Sequence, residues 1–120
     1  MQRFLLADDN PDLRSALRLM LETRLNAPLV FEADDHAQLI DQSMAHRPDC
    51  LILDWELRGF ADHNCLDALH DLLPDLKIIV TSARPEAAEA AASAHADAFI
   101  CKTDPPAEIL TAIHRLNGKD

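Results

Sequence analysis

The stretch Cys50-Leu-Ile-Leu-Asp54, "CLILD", decides the fold. Its four leading residues are all apolar, with no alternation between an inward and an outward face. A strand of that kind is covered on both sides by helices, as in parallel sheets. It then ends on a carboxylate. The runs around it end in the same way: "FLLADD" on Asp8 and Asp9, "KIIVTSA" (77–83) at Thr81 and Ser82, and "FICK" on Lys102.

Helical patterns separate these runs. Asn10 before Pro11 reads as a cap with proline at the first helical position, and Leu13, Leu17, Met20 and Leu21 form one apolar face. Asn26 and Pro28 close this helix, Leu29 to Ala33 makes another strand, and Asp35 opens a helix expected to turn Ala37, Ile40 and Met44 inward before Pro48. Leu66, Leu69, Leu72 and Leu73 mark a third helix, and an alanine-rich one starts near Pro85. Asp104 before Pro105 is expected to cap the last, whose Ile109, Ile113 and Leu116 share a face and which Gly118 would end. Strand and helix thus alternate throughout. Parallel neighbours need a crossover and a helix supplies it, so the pattern predicts an α/β fold, an open parallel sheet with helices on both faces. Ligands of such sheets bind outside the carboxyl ends of the strands. The polar exits therefore converge on one rim, and that rim is the expected site.

The composition narrows the function. A chain of 120 residues is the size of one domain, and residues 1–120 are read as one. With 21 acids against 11 bases the formal charge is −10, which repels phosphate backbones and anionic membranes, so direct nucleic-acid binding is not expected. No apolar run approaches the roughly 20 residues of a membrane span, and the start "MQRFLLADD" lacks the apolar core of a signal peptide, so the expected location is the cytoplasm. Cys50, Cys65 and Cys101 have no CxxC spacing and read as small core residues. The histidines show no ligand spacing and read as surface or cap residues.

At the rim gather the carboxylates of Asp8, Asp9 and Asp54, a hydroxyl from Thr81 or Ser82, and the ammonium of Lys102. Three close carboxylates repel one another. Either one keeps its proton or a hard cation sits among them, and Mg²⁺ suits a few carboxylates, water and a substrate phosphate. A metal and a lysine can neutralise the oxygens of an incoming phosphoryl group, and Asp54 can attack phosphorus to give an acyl phosphate.

"FLLADDNPDLR", "DCLILDWEL", "IIVTSA" and "AFICK", in that order and spacing, resemble the receiver domain of two-component response regulators over essentially the whole chain. The resemblance implies a doubly wound, flavodoxin-like, five-stranded parallel sheet of order 2-1-3-4-5. It implies that Asp54 takes phosphate from a phosphohistidine on a histidine kinase or phosphotransfer protein. Asp8, Asp9 and Asp54 would hold Mg²⁺, Asp9 directly and Asp8 largely through water, with the backbone carbonyl of Glu56 completing the site. Lys102 would pair with Asp54 and then with the phosphoryl group. Ser82, followed by the small Ala83, matches the switch hydroxyl, and Phe99 the switch aromatic. Such a chain is no enzyme beyond its own phosphotransfer and autodephosphorylation. It would control an output domain or partner, and the last strand and helix are the family's usual dimer face.

Some positions depart from the family pattern. Arg58 stands where proline is frequent, with Gly59 and "FADHNC" after it, and Thr103 stands in place of a frequent cis-proline. His95 and Ala98 replace glycines, so His95 is expected to adopt a left-handed conformation. Trp55 is read as a partly buried rim residue beside the acceptor, and Glu56 and Arg84 are expected to pair across the site. Two other readings stand beside this one. A receiver-like interaction module that takes no phosphate would fail to bind Mg²⁺. A hydrolytic phosphatase would want a DxD spacing around its nucleophile, and Asp54 lacks it.

Overall fold

The apolar runs become strands and the segments between them become helices. A computed structural model describes residues 2–59 and 65–117. Along the chain lie β1 (Arg3–Ala7), α1 (Pro11–Arg24), β2 (Leu29–Ala33), α2 (His36–His46), β3 (Cys50–Asp54), α3 (Cys65–Leu72), β4 (Lys77–Ser82), α4 (Ala87–Ser93), β5 (Ala98–Cys101) and α5 (Ala107–Leu116). All strand pairings are parallel, in the order β2-β1-β3-β4-β5. This is the expected 2-1-3-4-5 sheet. Because β1 connects outward to β2 while β3 lies on its other side, the carboxyl ends of β1 and β3 open a crevice where the strand order reverses.

Strand side chains alternate between two cores. Phe4, Leu6, Ile52 and Ile79 pack with Leu17 and Leu21 of α1 and Ile109 and Ile113 of α5 on one face. Leu5, Leu51, Leu53, Ile78 and Val80 pack with Leu39, Leu66, Leu69 and Ala91 of α2, α3 and α4 on the other. Every residue of β3 is buried, as "CLILD" required. Each such aliphatic side chain contributes roughly 1.5–3 kcal/mol by leaving water. Burial also pushes the Cys50 thiol up to about 12, so it stays an inert core group.

The helix caps follow sequence chemistry in two places and depart from it in a third. Asn10 accepts from the backbone N–H groups of Asp12 and Leu13, and Asp35 accepts from that of Gln38. Asp104 does not cap α5. Pro105 and Pro106 have no N–H to donate, and Asp104 Oδ2 accepts from the Cys101 backbone N–H at 3.2 Å instead. In α2 the buried face is Leu39 and Ser43, with Ile40 half-buried; Ala37 and Met44 point outward, contrary to the expected phase. In α3 Leu66 and Leu69 are buried but Leu72 is exposed. His36 and His46 stand at the two ends of α2 and are half-buried rather than surface residues, the His46 ring stacking on Phe31 at 3.9 Å. The Cys65 side chain, the "FADHN" segment and Gly118 lie outside the described residues.

His95 takes the left-handed conformation expected of it, with φ 73°. Its Nδ1 lies 2.8 Å from Asp67 Oδ1, an exposed pair of small energetic weight. His95→Gly is therefore expected to stabilise the fold by roughly 1 kcal/mol, the cost of a left-handed residue bearing a Cβ outweighing the lost pair. Urea denaturation checks this, and a lower midpoint would refute it.

Candidate functional site

Each rim residue is set by the strand that ends before it. Asp8 follows β1, and its backbone N–H donates to the Ala33 carbonyl of β2 at 3.0 Å. Its Oδ1 accepts from the Asn10 N–H at 2.9 Å, and its Oδ2 lies 2.9 Å from Lys102 Nζ. Asp54 closes β3; its Oδ1 accepts from the Glu56 N–H at 3.0 Å and its Oδ2 lies 3.3 Å from Lys102 Nζ. Lys102 leaves β5 with its N–H on the Ser82 carbonyl at 2.8 Å, which fixes where its long side chain starts. Asp8 and Asp54 are only 4% and 5% exposed, whereas Asp9 is exposed. One carboxylate oxygen from each of Asp8, Asp9 and Asp54 lies within 4.8 Å of the others.

The electrostatics follow from this crowding. Burial lifts the Asp54 carboxyl above the ordinary aspartate value; the Glu56 N–H opposes the rise, the charge of Asp8 adds to it, and Lys102 opposes it too. For Lys102, burial pulls the pKa down, but its bond to Asp8 and the charges of Asp54 and Asp8 outweigh that, so the ammonium is held above its ordinary value. The Lys102 ammonium thus meets two of the three clustered carboxylates, Asp8 and Asp54. The donor set is all oxygen with surplus negative charge, and it fits a hard divalent cation.

Thr81 and Ser82 point to different partners. Thr81 Oγ1 is turned toward the Leu53 carbonyl at a long 3.5 Å. Ser82, fully buried, donates its hydroxyl to the Glu56 carboxylate at 3.0 Å and accepts from the Arg84 N–H at 3.0 Å. Arg84 Nη2 meets Glu56 Oε2 at 2.9 Å, so the expected Glu56–Arg84 pair forms, and it includes Ser82. Phe99 of β5 is half-buried against the core on the α3 and α4 side. Trp55 is more buried than expected, 6% exposed, directly after Asp54.

One residue of this neighbourhood was missed by sequence reasoning. Arg14, in the second turn of α1, donates through Nη1 to the Asp8 carbonyl and through Nε to Glu32 Oε1 at 2.8 Å. A lone acid inside the apolar run "LVFEA" was the available signal, since a half-buried glutamate in a strand is satisfied by a cationic partner.

Comparisons with known proteins accord with this geometry. A family model described as the response regulator receiver domain matches residues 4–114. The transcriptional activator protein ExaE of Pseudomonas putida is 31% identical over 114 residues, which are 93% of this chain and 53% of that protein. A two-component response regulator of the LuxR family from Aurantimonas sp. SI85-9A1 superposes with a TM-score of 0.85 at 27% identity, over 98% of this chain and 86% of that one. A response regulator protein from Burkholderia pseudomallei, solved with a phosphorylated aspartic acid, a calcium ion and citrate, gives a TM-score of 0.81 at 25% identity, over 93% and 66% of the two chains. The chain spans about half the length of the curated relatives it matches.

Proposed function

This chain belongs to the response regulator receiver domain family, and from that premise we propose that residues 1–120 form one receiver in which Asp54 accepts a phosphoryl group from a phosphohistidine on a histidine kinase or phosphotransfer protein. The observation that carries the reading is the convergence of Asp8, Asp9 and Asp54, with Lys102 Nζ 2.9 Å from Asp8 and 3.3 Å from Asp54. Asp8, Asp9 and Asp54 would hold Mg²⁺, with the Glu56 carbonyl as a further oxygen. When bound, the ion neutralises charge on the phosphoryl oxygens.

The chain's own residues do the rest. An Asp54 carboxylate oxygen forms the new O–P bond as the N–P bond of the phosphohistidine breaks, the electron pair returning to the imidazole. Lys102, held as an ammonium, moves from Asp54 to the developing charge on the transferring group. Ser82 exchanges its Glu56 bond for a phosphoryl oxygen, and Phe99 repacks behind it, which carries the signal to an output domain or partner. The chemistry takes place on the chain's own Asp54, by phosphotransfer and autodephosphorylation, and the chain works as a switch. The surplus of acids supports protein partners over nucleic acid. Among the described residues no helix is long and apolar enough to cross a membrane. The family supports a cytoplasmic setting and a homodimer through β5 and α5.

The test is labelling by a small phosphodonor, expected in Mg²⁺ and absent with a chelator; labelling that ignores Mg²⁺ would dispose of the reading. The Glu56–Arg84 pair closes one side of the site and is expected to hinder the water that hydrolyses the acyl phosphate. Arg84→Glu should therefore speed dephosphorylation several-fold in a chase after donor removal. An unchanged rate would remove this role from the pair.

A further inference from the structure

We propose that Arg14 is a positioning residue for the acidic pair, fixing the peptide between Asp8 and Asp9 so that both carboxylates face one cation. The inference rests on the Mg²⁺ reading above. The Arg14 side chain is 15% exposed and bonds to groups on both sides of it. Nη1 donates to the Asp8 carbonyl, and Nε donates to Glu32 Oε1 at 2.8 Å. Glu32 is itself held from β2 by Arg18, whose Nε lies 2.7 Å from Glu32 Oε2 and whose Nη2 donates to the Val30 carbonyl at 2.8 Å. The guanidinium therefore cannot swing away without breaking a network that ties α1 to β2.

The consequence falls on Asp9. Asp8 is fixed in several ways: its N–H by Ala33, its carboxylate by Asn10 and Lys102. Asp9 is exposed, so its direction depends on the backbone that precedes it. The Asp8 carbonyl belongs to that linking peptide, and Arg14 sets its plane. Groups that orient metal ligands in this way typically govern affinity rather than the ligand set.

Titration of Mg²⁺ against Trp55 fluorescence tests this. Arg14→Met is expected to raise the Mg²⁺ Kd about tenfold, in the range found when the support of a ligand is lost, with labelling restored at saturating Mg²⁺. Arg18→Met breaks the same network without touching Asp8; it should lower the thermal midpoint comparably and leave the Mg²⁺ Kd unchanged. A wild-type Kd in Arg14→Met, or equal weakening in Arg18→Met, overturns the proposal. If Arg14→Met does not fold, Arg14→Lys carries the test, because one ammonium cannot serve Glu32 and the Asp8 carbonyl in a common plane; a wild-type Kd there overturns it as well. Wild-type protein that binds no Mg²⁺ would remove both this inference and the reading beneath it, whereas binding with no effect at position 14 removes the inference alone.

Discussion

Asp54→Asn is expected to abolish labelling by a phosphodonor and, in the same protein, to raise the thermal midpoint. The first effect follows because an amide cannot supply the attacking oxygen. The second follows from charge: Asp54 is buried beside Asp8, and Lys102 sits closer to Asp8 than to Asp54, so the substitution relieves repulsion and leaves Lys102 paired. The pH dependence has a definite sign. The folded-state pKa of Asp54 lies above its ordinary value, so the native state holds this proton more tightly than the unfolded chain. Its contribution favours folding below the ordinary aspartate range, about pH 4, and is lost as the pH rises through the raised value. The gain from Asp54→Asn should thus be full at neutral pH and shrink toward zero in acid. Thermal melts across that range check it, and a variant destabilised at neutral pH would contradict the electrostatic account. Functional acids that cost stability are a general pattern.

Lys102→Met is expected to act in the opposite direction. It leaves Asp8 and Asp54 without their cation, and a buried carboxylate without a counter-charge is expensive. The loss should be about 1–3 kcal/mol without metal, less than the roughly 3–5 of a fully buried pair, because the Lys102 side chain keeps 24% exposure. Two further observations would separate this from ordinary loss of packing. Saturating Mg²⁺ should stabilise Lys102→Met by more than it stabilises the wild type, since the ion replaces the missing charge. Labelling should also slow on the order of 100-fold, the usual effect of removing one donor to a charged transition state. Equal stabilisation of both proteins by Mg²⁺ would show that Lys102 does not offset the acid cluster.

What could be read from the sequence was what the physics over-determines. A strand buried on both faces has no choice but continuous apolar residues, so β1, β3 and β4 were plain, and their polar exits marked the rim. Asn10 and Asp35 were legible because each is followed by free N–H groups. Asp104 misled because the second proline takes away one of the donors a cap serves, α5 starts only at Ala107, and the Asp104 carboxylate turns back to the Cys101 N–H. The phase of α2 was ambiguous because few apolar residues lie along it: the set Ala37, Ile40, Met44 and the set Leu39, Ile40, Ser43 both fit a helical period, and only packing buries Ser43 and exposes Met44. Arg14 was hidden for another reason. An arginine on an amphipathic helix normally reaches water, and its contact with a carbonyl of the preceding loop is set by tertiary placement rather than by spacing.

The partners of Ser82 bear on how the domain signals. Because the hydroxyl already holds the Glu56 carboxylate at 3.0 Å, the proposed transfer to a phosphoryl oxygen would swap one charge-assisted bond for another of similar strength. The incoming group works against a counterweight. Converting a 1:99 population to 99:1 takes about 5.5 kcal/mol, and an exchange near balance supplies little of it. In that scheme the resting bias would be set by an acid two residues from Asp54, and Glu56 would tune both the threshold for responding and, through its pair with Arg84, the lifetime of the acyl phosphate.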